Sequence, residues 1–188
     1  GRLRAALAAS SPEWRLAAVM HPVNLFYLTG AMPNGVLLIP RDGDAVLFAR
    51  RAYSRVVEES AFPRVMPMRS FRDAATGIGT IPDTIHVEKE ALTIGHLDRF
   101  AKHFPAKSFA ALDRALGGVR AVKSPLELDL MTRCGEIHRH AFEEVAPDLL
   151  RYGMSEAEFA TELLTAMLAA GHDGVCRIAM YGGELFLG

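Results

Sequence analysis

His138 and His140 are the first residues to test for chemistry, because histidines and carboxylates at helical spacing build metal sites. Lying two apart on a helix, they point to different sides and cannot chelate one ion from one face. His140 with Glu143 or Glu144 has usable spacing, yet neither H-E-x-x-H nor H-x-x-E-H occurs, and the segment reads as a solvated helix face. His172-Asp173, just past a helix end, reads as a polar turn. Gly77-Ile78-Gly79 lacks the third glycine of a dinucleotide fingerprint, Pro82 standing in its place, and no G-x-x-x-x-G-K-S/T loop is present. No serine lies in G-x-S-x-G. Arg50-Arg51 with Arg55 would make an anion patch on one helix face, but without interleaved aromatics they read as solvated. Cys134 and Cys176 belong to no C-x-x-C and sit in apolar patterns, so buried thiols in a reducing cytoplasm are expected. From the residues alone, no complete active site emerges.

The elements that would position these residues come in two compositions. At about 150 residues per domain, 188 residues give one domain and a fraction. A 50% hydrophobic, 23% charged chain is too apolar for disorder. Its net charge of -1 gives no overall pull towards nucleic acid or an anionic membrane. Residues 1–124 nevertheless carry 17 Lys and Arg against 11 Asp and Glu, and residues 125–188 carry 4 against 11. That split suggests two units. No apolar stretch approaches the roughly 18 residues of a membrane span.

The first two thirds alternate. A first helix is expected over about 2–10, then short strands over 14–19 and 25–29, the second bracketed by Pro22 and Gly30. Val36–Ile39 and Ala45–Phe48 flank Pro40-Arg41-Asp42-Gly43-Asp44, which is an antiparallel hairpin signal. A helix over 51–59, an edge strand over 65–68 and strands over 85–87 and 108–112 complete the pattern, with a helix between the last two. In that helix Leu97, Phe100, Ala101 and Phe104 fall at i, i+3, i+4, i+7. The sum is an α/β domain with a mixed sheet and helices packed on it.

Character changes at Lys123. Ser124-Pro125-Leu126-Glu127 spells a capped helix start, and Leu130, Met131, Cys134, Ile137, Ala141, Phe142, Val145 and Leu149 form the stripe expected to face the core. Pro147 is expected to bend or end that helix. Ser155-Glu156-Ala157-Glu158 starts another, with Phe159, Leu163, Leu164, Met167 and Leu168 inward and Gly171 as its left-handed cap. A strand over 175–181 follows. Two helices and one strand make a poor domain alone and look like the opening of a larger unit.

Two stretches together resemble a known family. His21-Pro22-Val23-Asn24-Leu25-Phe26-Tyr27-Leu28-Thr29-Gly30 followed by Val36-Leu37-Leu38-Ile39-Pro40 resembles the N-x-x-Y-L-T-G and L-L-I segment of the creatinase/prolidase N-terminal domain. Arg120-Ala121-Val122-Lys123-Ser124-Pro125-Leu126-Glu127 resembles the R-x-x-K-S-x-x-E start of the pita-bread catalytic domain of Xaa-Pro peptidases, and Gly153-Met154-Ser155-Glu156-Ala157-Glu158 its G-x-S/T-E-x-E. The resemblance implies an N-terminal domain over 1–120 and the start of an incomplete α+β pita-bread domain over 121–188.

It further implies a parent Xaa-Pro dipeptidase or aminopeptidase that is a cytoplasmic homodimer acting on proline-containing peptides. Two manganese, cobalt or zinc ions would activate its water. The family's ligands, Asp, Asp, His, Glu and Glu, would all lie beyond Gly188. This chain would then bind no metal and be inert by itself, with its matched residues architectural. In dimerising relatives the loop after the Y-L-T-G segment reaches the partner's active-site mouth. Here that loop is Ala31-Met32-Pro33-Asn34-Gly35, which makes Met32 and Asn34 candidate substrate-access residues. The same fold also serves creatinase-like and other C–N hydrolases, and peptidase-like modules that bind without catalysis.

Overall fold

Successive residues of a strand face opposite sides of the sheet, so a strand apolar at every position must be covered on both. Strands β1 (Leu16–Val19), β2 (Gly35–Pro40) and β3 (Val46–Ala49) are of that kind. The computed structural model, which describes residues 1–172, buries every residue of the three except Pro40. With β4 (Val65–Pro67), β5 (Thr84–Val87) and β6 (Ser108–Ala111) they form one six-stranded sheet of order β4-β3-β2-β1-β5-β6. Only β2 runs against its neighbours. The other five strands share a direction and finish at the same end of the sheet, where ligands gather in α/β folds.

Helices α2 (Pro22–Thr29), α3 (Tyr53–Glu59), α4 (Phe71–Ile78) and α5 (Ile94–Ala101) link strands, while α1 (Arg2–Ser10) precedes β1 and α6 (Asp113–Ala121) follows β6. Ala17, Val19, Leu37 and Leu47 turn to one face, where Leu7 of α1, Leu25 of α2, Val56 of α3 and Leu116 of α6 meet them. Ala18, Val36, Phe48, Ile85 and Val87 turn to the other, against Ala74 of α4 and Phe100 of α5. There Phe100 stacks on Phe104 at 4.1 Å between ring centroids, as the i, i+4 spacing expects. The result is three layers, α/β/α, in the mixed α/β class that the sequence implies.

Three local expectations need correction. The 25–29 run is helix, not strand. His21 is extended at the cap, Pro22 holds the first helical position, and Gly30 at φ +76° closes the last turn with its N–H on the Phe26 carbonyl. A short apolar run has no period that separates the two states. Helices α4 and α6 went unforeseen, although Ser70 and Asp73 form a reciprocal capping box for α4. Gly77-Ile78-Gly79 is the end of α4: a Cβ on Gly77 would sit 2.7 Å from the Phe48 ring, and Gly79 takes φ +77°. These glycines serve close helix-to-sheet packing.

The second unit starts at Lys123. Helix α7 (Pro125–His140) and helix α9 (Glu156–Ala169) both begin with the capping boxes read from the sequence, Ser124 with Glu127 and Ser155 with Glu158. Between them lie a π turn over Ala141–Val145 and helix α8 (Ala146–Leu149). Pro147 has no N–H for the carbonyl one turn back, and the widened turn just before it accommodates the missing bond. The core of this unit is Ala141, Ala146, Leu163 and Met167 with Val145, Leu149 and Phe159 around them.

The α7 stripe departs from expectation. No α7 residue is buried: Leu130 is 57% and Met131 55% exposed, and Cys134 is an exposed thiol. Phe142 and Leu168 are also about half exposed. Amphipathic spacing records that a helix has an apolar side and contains nothing about what covers it. Cys176 and the strand expected over 175–181 lie outside the described residues.

His86, central in β5, is buried with its Nδ1 unpartnered, and burial lowers its pKa from the ordinary 6.5. The unfolded chain therefore takes up more protons as pH falls, so stability is full above about pH 6.5 and declines below it. The urea midpoint should drop more between pH 7.5 and 5 in the parent than in His86→Leu. Equal drops would show that His86 carries none of the dependence.

Candidate functional site

Glu88 follows β5 at the shared end of the strands and is only 1% exposed. Its carboxylate is nevertheless well provided. Oε2 accepts the backbone N–H groups of Met20 at 2.6 Å and His21 at 2.9 Å, and Oε1 accepts Asn24 Nδ2 at 2.7 Å. These donors lie at the turn from β1 into α2, where the helix's free N–H groups also favour negative charge. Asn24 Oδ1 in turn accepts Arg120 Nη1 at 2.8 Å. The Arg120 guanidinium lies 5.8 Å from the centre of the Tyr27 ring, and Tyr27 Oη donates to the Val119 carbonyl at 3.4 Å. Asp113, at the start of α6, holds the chain just after Glu88 by accepting Lys89 N–H at 2.9 Å and Glu90 N–H at 3.2 Å.

This network explains the resemblance motifs physically. Asn24, Tyr27, Thr29 and Gly30 are four side-chain or backbone requirements of one capped helix, and Arg120 ties the end of the first unit to it.

The same helix launches the loop of the two access candidates. Thr29 Oγ1 donates to the Leu25 carbonyl at 2.7 Å and receives Ala31 N–H at 3.4 Å. Ala31 and Pro33 are buried, whereas Met32 is 53% exposed and Asn34 is also exposed. The far end is clamped by Arg50 N–H on the Asn34 carbonyl at 2.8 Å. Gly35 then enters β2 so close to β3 that a Cβ would stand 2.0 Å from the Phe48 oxygen. The loop is a fixed outward display of two side chains.

The structure separates those two side chains. Asn34 lines a cavity of about 380 Å³ with Arg50, Arg69, Ser70, Phe71 and His96 among its walls, and Met32 is not part of that lining. Arg50 is likewise parted from its sequence neighbours, since Arg55 pairs with Glu59 at 3.5 Å along α3. Sequence reasoning missed Glu88 and the residues of this cavity. An acidic residue continuing an apolar strand was the available signal for Glu88, and His96, Arg99 and His103 at i, i+3, i+7 was the signal for the cavity.

The metal-bearing candidates do not assemble. Among the described residues no group of three or more His, Cys, Asp or Glu side chains is placed to hold a metal ion. His140 Nδ1 meets Glu144 Oε2 at 2.9 Å, and Arg139 bridges Glu143 and Glu144 at 3.1 Å each. Accordingly the hydrogen bond from His140, then that from Arg139, lowers the pKa of Glu144. These are exposed helix-surface pairs. The described residues therefore do not fit a dinuclear metal centre. No helix among them is long and apolar enough to cross a membrane.

A three-layer α/β domain with five codirectional strands, its strand-end turn pinned by a buried carboxylate, defines the class structurally. Residues 1–122 match the family model described as the Creatinase/Prolidase N-terminal domain, and the chain belongs to that family. The matched span coincides with the first structural unit, Gly1–Val122. An uncharacterized peptidase of Staphylococcus aureus (strain MSSA476) is 27% identical over 183 residues, covering 84% of this chain and 52% of the relative.

Among solved structures, the prolidase from Pyrococcus furiosus superposes with a TM-score of 0.78 at 22% identity, over 92% of this chain and 53% of that one. The creatinase/prolidase N-terminal domain of an X-Pro dipeptidase from Streptococcus pyogenes gives 0.52 at 20% identity, over 62% and 96%. The chain spans about half the length of the curated relatives it matches.

A double-mutant cycle tests the link between the two motif stretches. Asn24→Ala and Arg120→Met should couple by about 1–2 kcal/mol in urea unfolding, as expected for a hydrogen bond to a charged group. Coupling below about 0.3 kcal/mol, the ordinary scatter of independent sites, would show that the bond is incidental.

Proposed function

We propose that this chain is the N-terminal part of a metal-dependent Xaa-Pro dipeptidase or aminopeptidase, with residues 1–122 serving substrate access and oligomerisation. The observation that carries this reading is the match of residues 1–122 to the Creatinase/Prolidase N-terminal domain family. The alignment to uncharacterized peptidases over 84% of the chain supports it. Residues from 123 onward are the start of the pita-bread catalytic domain. The manganese, cobalt or zinc ions and their five ligands belong to a part of the protein that follows this chain, which is inert by itself. The parent is a cytoplasmic homodimer in which Met32 and Asn34 stand near the partner's substrate opening. Their exposure on a loop anchored at both ends supports that role.

The full-length protein and this chain should be assayed side by side with Mn²⁺ or Co²⁺ and an Xaa-Pro dipeptide. Turnover by the full-length protein alone is expected, and turnover by the 188-residue chain would overturn the inert reading. Activity of the full-length protein on creatine but not on Xaa-Pro peptides would replace the peptidase with an amidinohydrolase. In an active full-length peptidase, Met32→Ala with Asn34→Ala should change the ratio of kcat/KM between two Xaa-Pro substrates by about threefold or more, corresponding to at least ~0.6 kcal/mol of discrimination. An unchanged ratio removes the access role.

A further inference from the structure

We propose that the cavity ringed by Arg50, Arg69, Arg99, Lys102, His96 and His103 is a binding site for a small multivalent oxyanion, a phosphate or a polycarboxylate. This inference is independent of the peptidase reading.

The cavity is built from separate elements. Arg50 follows β3, Arg69 lies between β4 and α4, and the other four come from α5 and the turn after it. His96, Arg99 and His103 fall at i, i+3, i+7, one stripe beside the Phe100 and Phe104 stripe that enters the core. A volume of about 380 Å³ lies within the range of small-ligand sites.

Charge makes the site specific. No carboxylate lines the cavity, and none of Arg50, Arg69, Arg99 or Lys102 forms an ion pair with a described residue. Asp73 lies beside the cavity in the α4 capping box, where its Oδ2 accepts the N–H groups of Arg69 at 2.6 Å and Ser70 at 3.1 Å, and its charge offsets part of that of Arg69. The first turn of α4 is therefore capped by its own chain and is not what recognises the ligand. Three guanidinium-bearing side chains and one ammonium-bearing side chain line one concavity, and a multivalent anion can pair with more than one of them. Guanidinium forks match phosphate and carboxylate oxygens in pairs.

The ring of Phe71, 5.7 Å from that of His96, supplies an apolar wall. His96 is depressed in pKa first by burial and then by the Arg99 charge, against an opposing pull from Glu88, so the cavity charge already acts on its own wall. A second cavity in the same unit, about 450 Å³, shows the contrast. There Arg15, Arg41 and Arg64 are accompanied by Asp42 and Asp44, and no comparable excess exists.

The test is calorimetric titration of the 188-residue chain with pyrophosphate and with citrate at fixed ionic strength. One saturable site is expected, with Kd at or below about 1 mM for at least one of them. Their ratio decides between phosphate and carboxylate. Arg99→Gln and Lys102→Gln should each weaken it by about tenfold, and Arg114→Gln, exposed on α6 outside the cavity, should leave it unchanged. A second reading needs no variant: Tm should rise saturably with the multivalent anion and not with NaCl of equal ionic strength. Absence of saturable binding for both anions overturns the proposal. So does equal weakening by Arg114→Gln, or a short single-stranded oligonucleotide binding more tightly than either anion.

Discussion

A buried carboxylate is costly unless its oxygens are met, and Glu88 is met three times. Everything that faces outward at the shared end of the sheet depends on that. The two backbone donors fix where β1 stops and α2 begins, and the third fixes Asn24, the residue through which Arg120 is tied in. No direct ion pair is needed, because the charge is spread over backbone N–H groups, an amide and the start of a helix. Removing the carboxylate would leave those N–H groups and the Asn24 amide without their acceptor.

From this anchor the geometry of the following loop is set. Helix α2 is only eight residues long, too short to be stable without tertiary support. Its two ends are set by Glu88 and by Gly30, and the Ala31–Gly35 loop leaves from the second. Buried Ala31 and Pro33 alternate with exposed Met32 and Asn34, and Gly35 docks where no side chain fits. A loop held at both ends and open in the middle can present side chains to something larger. The cationic cavity shares Asn34 with that loop, so two surfaces of different chemistry adjoin on one scaffold.

What the sequence disclosed depended on the range of each interaction. The hairpin around Asp42-Gly43 and the boxes at Ser124 and Ser155 are set within a few residues, and they appear as read. Ser70 with Asp73 has the same local logic, and Phe71, Ala74, Ala75 and Ile78 behind it fall at i, i+3, i+4, i+7, so α4 is legible too; the glycines at 77 and 79 draw attention to a loop instead. The Leu25–Thr29 run was misread because its two states differ only in cap geometry. Asn24 and Arg120 are 96 residues apart, and no local pattern announces their bond. The cavity cations are gathered from three parts of the chain, and only the His96, Arg99 and His103 spacing on α5 marks any of them locally. The α7 stripe was read correctly as one-sided and wrongly as buried, since periodicity contains no information about the opposing surface.

The shared end of the sheet therefore rests on one residue, Glu88, that carries no sequence motif. The most direct test is amide hydrogen exchange of Met20 and His21 in Glu88→Gln against the parent chain, with the urea midpoint measured alongside. Glutamine keeps the shape, removes the charge and turns one acceptor into a donor facing donors. Loss of protection at both amides together with about 3 kcal/mol of stability is the predicted result. Unchanged protection at Met20 and His21, with stability within about 0.5 kcal/mol of the parent, would contradict it.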